Sequence, residues 1–270
     1  MILEQIVAAK KQEIRKLLSQ LNRSQMEKEI SALPPARNFQ QALSDGNNVK
    51  LIAEIKHRSP TKGVLCKNFN HRRLAVIYRD HGAAAVSVLT DSPFFGGHLN
   101  YLPEVRQTIE LPLLRKDFIL DPLQVYQSRL FGADAILLIA ALLKEEELSY
   151  LTNLARDCGL QTLVEVHTAD ELQWVLDLGI NMIGINNRDL QSFQTDLAVT
   201  ARLMELIKRP DITVVSESGI HSSQQMRFLQ EQGVNAALVG EALVSSEDIP
   251  AKVRELVKGG GTVDGSVCTH

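Results

Sequence analysis

The feature that most constrains the fold is a unit that recurs along the chain after residue 51. In each copy a glycine ends a helical stretch, and a short apolar segment begins two or three residues later. Glycine directly after the last helical residue is the usual C-terminal cap of a helix. The unit recurs at Gly82, Gly132, Gly159, Gly179 and Gly233. This recurrence predicts an α/β protein in which helices and strands alternate.

Eight apolar segments are predicted to be strands, namely residues 51–56, 85–89, 111–116, 135–139, 162–166, 182–185, 212–216 and 236–239. Most of them are apolar on both faces, which is typical of a parallel sheet covered by helices on both sides. Eight strand-then-helix units predict a closed (β/α)8 barrel, or TIM barrel. An open, doubly wound sheet is the alternative. It is disfavoured because no G-x-G-x-x-G motif follows an early strand.

Residues 1–48 are predicted to form a helical extension in front of the barrel. Apolar side chains recur at helical spacing over residues 2–21, and Lys10 is predicted to lie elsewhere on the surface of that helix. A second helix is predicted over residues 24–33, because two prolines follow it and cannot continue a helix. Such an extension is expected to pack on the barrel through its apolar stripe.

We expect residues 1–258 to form a single domain, with the barrel itself spanning residues 51–257. No linker interrupts this span. The last stretch, residues 259–270, is glycine-rich and lacks apolar periodicity. Since this composition is typical of disordered termini, the tail is predicted to be disordered.

Charge and cysteine usage exclude several classes of function. A net charge of −3 gives no electrostatic reason to expect nucleic acid or an anionic membrane as a partner. Cys66, Cys158 and Cys268 show no CxxC spacing, which favours reduced thiols of a cytoplasmic protein over a disulfide framework or a zinc site. The seven histidines show no HxH or HExxH spacing, so no metal is expected.

Neither the start of the chain nor its apolar runs indicate a secreted or membrane protein. Glu4 lies close to the N-terminus and no long apolar segment surrounds it, so no secretory signal is predicted. The longest apolar run spans residues 135–143. It is far shorter than the roughly 20 residues that cross a bilayer, and we interpret it as a buried strand.

Polar side chains stand at the C-terminal ends of the predicted strands, where barrel enzymes carry their chemistry. They are Glu54, Lys56, Lys116, Glu165, Asn186, Arg188 and Glu217. Each one alone has a structural explanation. Glu54 and Lys56, for example, lie two residues apart on one face of a strand and could form only an ion pair. Together they are expected to converge on one mouth, where a core that needed only filling would use aliphatic residues.

The ends of the seventh and eighth strands predict a phosphate site. Ser218 and Gly219 precede one helix, and Gly240 precedes another. Glycines let backbone N–H groups approach an anion, and helix N-termini favour negative charge. In such barrels these two loops are the usual phosphate site, although a tight turn would explain the same residues. The substrate is therefore predicted to be a small phosphorylated metabolite.

The predicted chemistry is acid–base work on a carbonyl compound that resembles a sugar phosphate. A lysine with charged neighbours can protonate a carbonyl or hydroxyl group while a glutamate accepts a proton. A lysine can instead form a Schiff base, and residue types alone do not separate the two. Phe94, Phe95, Phe118 and Leu137 offer apolar area at the rim, either to cap the barrel or to hold a substrate ring.

Seven segments of the chain resemble the indole-3-glycerol phosphate synthase family of tryptophan biosynthesis. They are residues 52–63 (IAEIKHRSPTKG), 95–97 (FGG), 114–118 (LRKDF), 132–143 (GADAILLIAALL), 163–166 (LVEV), 183–190 (IGINNRDL) and 216–220 (SESGI). The set is specific, although each motif alone is weak. The resemblance implies a (β/α)8 barrel with an N-terminal helical segment. It also implies closure of the indole ring of a carboxyphenylamino-deoxyribulose phosphate, with loss of carbon dioxide and water and without a cofactor or metal.

The resemblance also implies roles for individual residues. Lys116 corresponds to the general acid that activates the substrate carbonyl, and Glu165 to its partner in the acid–base steps, particularly the dehydration. Lys56 corresponds to a group that contacts the substrate carboxylate or acts as a second acid. The other implied roles are orientation by Glu54, Asn186 and Glu217, substrate binding by Ser59 and Arg188, a ring pocket of Phe95, Phe118 and Leu137, and phosphate binding by the backbone of Ser218, Gly219, Gly240 and Glu241.

Two departures from the family's pattern stand out. His98 follows the Phe-Gly-Gly motif where the family often has serine, and residues 259–270 match nothing in the family. Some members are fused to a second barrel that isomerises phosphoribosylanthranilate. This chain is too short for a second barrel, so we expect it to be monofunctional. We also expect a monomer without a stable protein partner. The alternatives are a Schiff-base aldolase and a non-catalytic barrel that binds a phosphorylated ligand. The intact set of glutamates and lysines disfavours the second.

Overall fold

Eight parallel strands form a closed barrel in the computed structural model, which describes residues 2–18, 22–44, 46, 48–190 and 192–261. The strands are β1 Lys50–Ile55, β2 Ala85–Leu89, β3 Leu113–Lys116, β4 Ala135–Ile139, β5 Gln161–Val166, β6 Met182–Asn186, β7 Thr213–Glu217 and β8 Ala236–Val239. Each strand pairs with the next in the chain, and β8 pairs with β1. The predicted (β/α)8 barrel is confirmed.

Helices precede the barrel and surround it. They are α1 Ile2–Leu18, α2 Arg23–Ser31, α3 Phe39–Ser44, α4 His71–Asp80, α5 Tyr101–Arg106, α6 Pro122–Leu130, α7 Glu145–Asp157, α8 Ala169–Asp177, α9 Ala198–Met204, α10 Ser223–Glu231, α11 Glu241–Val244 and α12 Ile249–Gly259. The first three confirm the predicted N-terminal helical extension. A short hairpin, Arg58–Ser59 paired with Gly63–Val64, follows β1.

Local signals in the sequence position several of these helices. Asp121 caps α6 in front of Pro122, and Ser222 caps α10 through a reciprocal bond with Gln225. Thr168 caps α8 by accepting from the backbone N–H of Glu171. The Glu171 carboxylate does not return to the cap residue as a capping box requires. It accepts instead from the backbone N–H of His167, at 2.6 Å.

The core has two layers. Apolar side chains between the strands and the outer helices form the larger one. Inside the barrel, residues such as Ile52, Leu114 and Leu163 form a second cluster that also contains Phe39 and Leu43 of α3. Both α3 side chains are fully buried, and α3 therefore closes the end of the barrel at which the strands begin. The sequence analysis did not predict this helix.

The prediction of a disordered tail from residue 259 onward is wrong for its first three residues. Gly259 is the last residue of α12, and the Gly260 carbonyl accepts from the backbone N–H of Val49 at 2.8 Å. A β-carbon on Gly260 would collide with the Val49 carbonyl, so glycine serves close backbone packing here rather than flexibility. The rest of the predicted tail, residues 262–270, lies outside the described residues, as do residues 19–21 of the first predicted helix.

Candidate active site

One pocket at the C-terminal ends of the strands, about 190 Å³ in volume, contains the residues that the sequence analysis predicted for the site, except Phe94, which is absent from its lining. They are Glu54, Lys56, Ser59, Phe95, Lys116, Phe118, Leu137, Glu165, Asn186, Arg188, Glu217, Ser218, Gly219, Gly240 and Glu241. In a parallel barrel the C-terminal ends of all strands meet at one end, which explains why residues far apart in the chain converge. Their common location does not by itself assign their roles.

Lys116, the last residue of β3, forms the centre of the site. Its ammonium donates to Glu165 Oε2 at 2.9 Å and to Glu217 Oε2 at 2.8 Å. Burial by itself lowers the pKa of this ammonium, but the charges of Glu165, Glu217 and Glu54 outweigh burial and raise the pKa well above its usual value. Lys116 is thus held as a protonated donor at the floor of the pocket.

The two carboxylates that hold Lys116 differ in their other contacts. Glu165 Oε1 lies 3.3 Å from His167 Nε2, and the cations Lys116 and His167 outweigh burial and lower the Glu165 pKa well below its usual value. Burial raises the pKa of Glu217 to about 7, with Lys116 opposing the rise and Glu165 adding to it. Glu217 Oε1 is buried beside Gly184 and has no hydrogen-bond partner among the described residues. Glu165 therefore stays ionised, whereas Glu217 can hold a proton near neutral pH.

Glu54 of β1 and Lys56, which follows β1, line the same pocket. Lys56 Nζ lies 3.4 Å from Glu54 Oε2 and 5.4 Å from the centre of the Phe95 ring. The ion pair that a structural interpretation would expect is thus present, and it stands inside the pocket. Glu54 also explains Gly240 at the end of β8, because a β-carbon there would collide with Glu54 Oε2.

The ends of β7 and β8 have the backbone geometry of tight turns. Ser218 and Gly219 have φ angles of +67° and +78°, and this left-handed region is strained for the serine. Gly240 stands directly before α11 as its N-cap residue. The short helix leaves its first N–H groups without intrahelical partners at this end of the pocket. These features are compatible with a bound phosphate and equally with a turn that needs these backbone angles.

Ser59 and Arg188 are held by contacts within their own loops. Ser59 Oγ accepts from the backbone N–H of Lys62 at 3.1 Å and so closes the turn of the hairpin after β1. The backbone N–H of Arg188 donates to Asn186 Oδ1 at 3.0 Å, and its guanidinium donates to the Phe193 carbonyl at 3.4 Å. Both residues line the pocket, and these contacts order the loops that surround it.

The apolar side of the pocket comes partly from outside the barrel. The Phe95 and Phe118 rings lie 6.1 Å apart, and Leu137 lines the same pocket. Three side chains of α1 complete this side, namely Ile2, Leu3 and Ile6. The sequence analysis assigned the extension no part in the site, so this contribution was missed.

Comparison with known proteins identifies the family of this chain. A sequence model of the family described as indole-3-glycerol phosphate synthase matches residues 3–256. A protein of that description from Desulforamulus reducens is 59% identical over 261 residues, which are 97% of this chain and 98% of the relative. Another from Roseiflexus castenholzii is 47% identical and covers 94% of this chain and 97% of the relative. The chain belongs to the indole-3-glycerol phosphate synthase family.

Membership in the indole-3-glycerol phosphate synthase family establishes the activity. The chain is a carboxy-lyase of tryptophan biosynthesis that binds a phosphorylated substrate. The family and the activity predicted from the sequence motifs are confirmed. No helix in the described part of the chain is long and apolar enough to cross a membrane.

Solved structures with low sequence identity support the fold alone. A 3-hexulose-6-phosphate synthase superposes with a TM-score of 0.64 at 16% identity, covering 79% of this chain and 100% of that one. The corresponding protein from Salmonella typhimurium gives 0.65 at 14% identity, covering 78% and 98%.

Lys10 of α1 was predicted to lie on the surface, and this prediction is wrong. Its ammonium lies 2.8 Å from Asp117 Oδ1 and 3.4 Å from Asp91 Oδ2, and only 2% of its side chain is exposed. Lys10 stands between Ile6 and Ile14, the other buried residues of α1, at a spacing of four that places all three on one face. This spacing was the available signal. The contact ties α1 to the residue that follows Lys116.

Two further charged residues near the site were missed. Lys62 pairs with Glu241, and this pairing outweighs burial and lowers the Glu241 pKa. His167 lies two residues after Glu165, the same spacing that identified Lys56 beside Glu54. Among the described residues no group of three or more histidine, cysteine or acidic side chains is arranged to hold a metal ion.

Proposed function

We propose that Lys116 and Glu165 perform the acid–base steps of the ring closure, in which carboxyphenylamino-deoxyribulose phosphate becomes indole-3-glycerol phosphate, carbon dioxide and water. The observation that carries this proposal is the buried Lys116 ammonium, held between two carboxylates at the floor of the pocket. A proton donor at this position can reach an oxygen of a substrate bound in the pocket.

The protonation state of Lys116 favours an acid over a nucleophile. A Schiff base requires a neutral amine, because the lone pair of the nitrogen attacks the carbonyl carbon. Glu165 and Glu217 raise the pKa of Lys116 and keep the proton on the nitrogen. The ammonium instead suits protonation of the substrate carbonyl, which makes its carbon more open to attack by the aromatic ring.

The ring closure then needs one group that gives protons and one that accepts them. Attack of the ring carbon on the carbonyl carbon forms the new bond, and loss of the carboxylate as carbon dioxide restores the aromatic ring. The hydroxyl made from the carbonyl leaves as water after protonation. A proton must then be removed from the adjacent ring carbon. Glu165, held ionised by two cations, is assigned to that removal.

The other pocket residues are assigned to binding. Lys56 lines the same pocket as Lys116, where its charge suits the substrate carboxylate or a second proton transfer. Glu54, Asn186 and Glu217 orient the two lysines and the substrate hydroxyls. The remaining assignments are phosphate at the backbone of Ser218, Gly219, Gly240 and Glu241, the substrate ring between Phe95, Phe118 and Leu137, and further substrate contacts from Ser59 and Arg188.

Turnover of the substrate tests the proposal directly. The protein is expected to convert carboxyphenylamino-deoxyribulose phosphate with the appearance of indole absorbance and the release of carbon dioxide. Lys116→Met should lower kcat by at least about 100-fold, since it removes the proton donor. Lys208→Met, at an exposed lysine outside the pocket, is the matched control and should behave as the unchanged protein.

Three other outcomes would contradict the assignment. Near-normal turnover by Lys116→Met would remove Lys116 as the acid. A covalent adduct on Lys116 or Lys56 after borohydride treatment with substrate would establish the Schiff-base alternative. Ligand binding without any turnover by the well-folded protein would establish the alternative of a non-catalytic barrel that binds a phosphorylated ligand.

We propose further that the protein acts as a cytoplasmic monomer without nucleic acid or a membrane as partner. The net charge of −3 and the free thiols of Cys66 and Cys158 support this. All the site residues assigned above lie in one pocket of a single chain, which supports a site that is complete in the monomer. Size-exclusion chromatography with light scattering should give the chain mass of 30.0 kDa, and twice that mass would contradict the proposal.

A further inference from the structure

The two oxygens of Glu165 face different cations. Oε2 accepts from the Lys116 ammonium at 2.9 Å, and Oε1 lies 3.3 Å from Nε2 of His167. His167 follows the last residue of β5, so the strand itself places both side chains at the mouth of the barrel. Lys116 faces the pocket, whereas His167 is absent from its lining. One cation therefore stands on the substrate side of Glu165 and the other stands behind it.

His167 in turn lies between two carboxylates. Its Nδ1 is 3.5 Å from Glu171 Oε2 in the first turn of α8, and its side chain is nearly fully buried. At 3.3 and 3.5 Å these ring contacts are long, and they lack the alignment of hydrogen bonds. The backbone fixes the arrangement, because Glu171 Oε2 also accepts from the His167 backbone N–H.

The charges around His167 favour the imidazolium form. Burial lowers its pKa, but Glu165 from β5 and Glu171 from α8 outweigh burial and raise the pKa to about 10. These two carboxylates are the titratable groups that face it among the described residues. Beyond Glu165 stand Lys116 from β3 and Glu217 from β7, which face Glu165 and each other rather than the imidazole.

We propose that His167 is a positioning residue, whose imidazolium keeps Glu165 ionised when Lys116 has given its proton to the substrate, and that Glu171 keeps His167 protonated. The proposal rests on the acid–base role assigned above to Glu165. Once Lys116 is a neutral amine, Glu165 loses the charge in front of it. A buried carboxylate without a counter-charge takes up a proton, and a protonated Glu165 cannot accept one from the substrate.

Paired variants test this arrangement through the pH dependence of kcat. In Glu171→Gln the amide still accepts the backbone bond but carries no charge, so the His167 pKa falls. The alkaline limb of the kcat profile should move about one unit or more toward neutral pH, while kcat at pH 6 stays within about twofold. His167→Gln should lower kcat about tenfold over the whole range with KM within about twofold, because one pKa unit on Glu165 is a factor of ten.

Two comparisons exclude a purely structural role. The double variant should lose no more kcat than His167→Gln alone, because Glu171 acts only through His167. Glu104→Gln is the matched control. It removes the carboxylate 2.7 Å from His71, a pair outside the pocket, and should leave the kcat profile unchanged.

An unmoved alkaline limb in Glu171→Gln would overturn the proposal, and so would near-normal kcat in His167→Gln or additive losses in the double variant. If His167→Gln does not fold, ring-nitrogen NMR of the unchanged protein decides, since His167 should be imidazolium at pH 8.5 and a neutral ring would overturn it. Glu165→Gln separates the two proposals. Near-normal kcat in Glu165→Gln would refute the role of Glu165 itself. A large loss of kcat in Glu165→Gln, together with unchanged kcat in the His167 variants, would refute only the present inference.

Discussion

Two lysine ammonium groups are buried in this protein. Lys116 stands at the floor of the pocket, and Lys10 lies on the buried face of α1. Lys116 contacts two carboxylates and 15% of its side chain is exposed. Lys10 contacts Asp117 and Asp91, and only 2% of its side chain is exposed. Each needs these partners, because an unpaired buried charge costs several kcal/mol. Only Lys116 can reach a ligand. The same ion-pair chemistry is thus available for catalysis in one cluster and holds the extension on the barrel in the other.

Asp117 of one cluster and Glu217 of the other differ in the direction of their pKa shifts. Burial raises the pKa of Asp117, but Arg115, Lys10 and a bond from Thr90 outweigh it and lower the pKa well below its usual value. At Glu217 burial prevails and the pKa rises to about 7. Asp117 has cations on both oxygens, whereas Glu217 has one oxygen without a partner among the described residues. Asp117 is therefore held ionised, whereas the incomplete pairing of Glu217 leaves a group that can exchange a proton.

The largest expected difference between the clusters is in turnover. Lys116→Met should lower kcat by about 10²- to 10⁴-fold, and Lys10→Met by less than about threefold, because only the first removes a group that faces the substrate. Steady-state kinetics on both variants measure this contrast. Equal losses of kcat would show that Lys10 takes part in the chemistry. They would contradict the distinction between a catalytic and a structural cluster.

Stability should show the reverse order. Lys10→Met leaves Asp117 and Asp91 buried with one cation fewer, and the free energy of unfolding should fall by about 3 kcal/mol. Lys116→Met should cost less, since water can enter the pocket and His167 still faces Glu165. Denaturant titration of the two variants provides the values. A smaller loss for Lys10→Met than for Lys116→Met would contradict a structural role for Lys10.

The contributions of Glu217 and Asp117 to stability should also respond oppositely to pH. Glu217 has a folded pKa above its ordinary value of 4.5, so it binds a proton more tightly in the folded state, and stability should fall as the pH rises from about 4.5 to about 7. Asp117 has a lowered pKa, so its contribution is present above its ordinary value of 3.8 and is lost as the pH falls below it.

Thermal unfolding between pH 4.5 and 7 tests the first of these slopes. Glu217→Gln should flatten the decline, because the amide does not titrate, and it should leave the acid-side loss that is due to Asp117. An unchanged decline in the variant would show that Glu217 has an ordinary pKa. It would also remove the contrast with Asp117.

The smallest expected effect is at the rim. Lys62 pairs with Glu241 but is 58% exposed, and exposed pairs contribute at most about 1 kcal/mol. Lys62→Met should therefore raise KM by no more than about fivefold, since the Glu241 charge near the proposed phosphate site is then less neutralised, and kcat should stay unchanged. A large fall in kcat would place Lys62 in the catalytic steps. Lys67→Met, at an exposed lysine outside the pocket, is the control.

Much of the site was predictable because of one geometric rule. Glu54, Lys116, Glu165 and Glu217 are separated by up to 163 residues in the chain. All four come at the end of an apolar strand, and strand ends in a parallel barrel share one rim. His167 and Lys10 obey equally simple spacings, to Glu165 and to Ile6. They were missed because a spacing indicates a shared face without indicating what that face meets.

The sequence by itself determined the barrel and the set of residues at its mouth, since strand length, glycine caps and apolar patterning are local properties. Only the tertiary structure decided which charges are buried and beside what. Lys10 became a buried anchor, Glu217 rather than Glu165 became the carboxyl that holds a proton near neutral pH, and His167 took its place behind Glu165. The physical reason is that burial and charge pairing depend on distances between elements, and residue order along one element does not contain those distances.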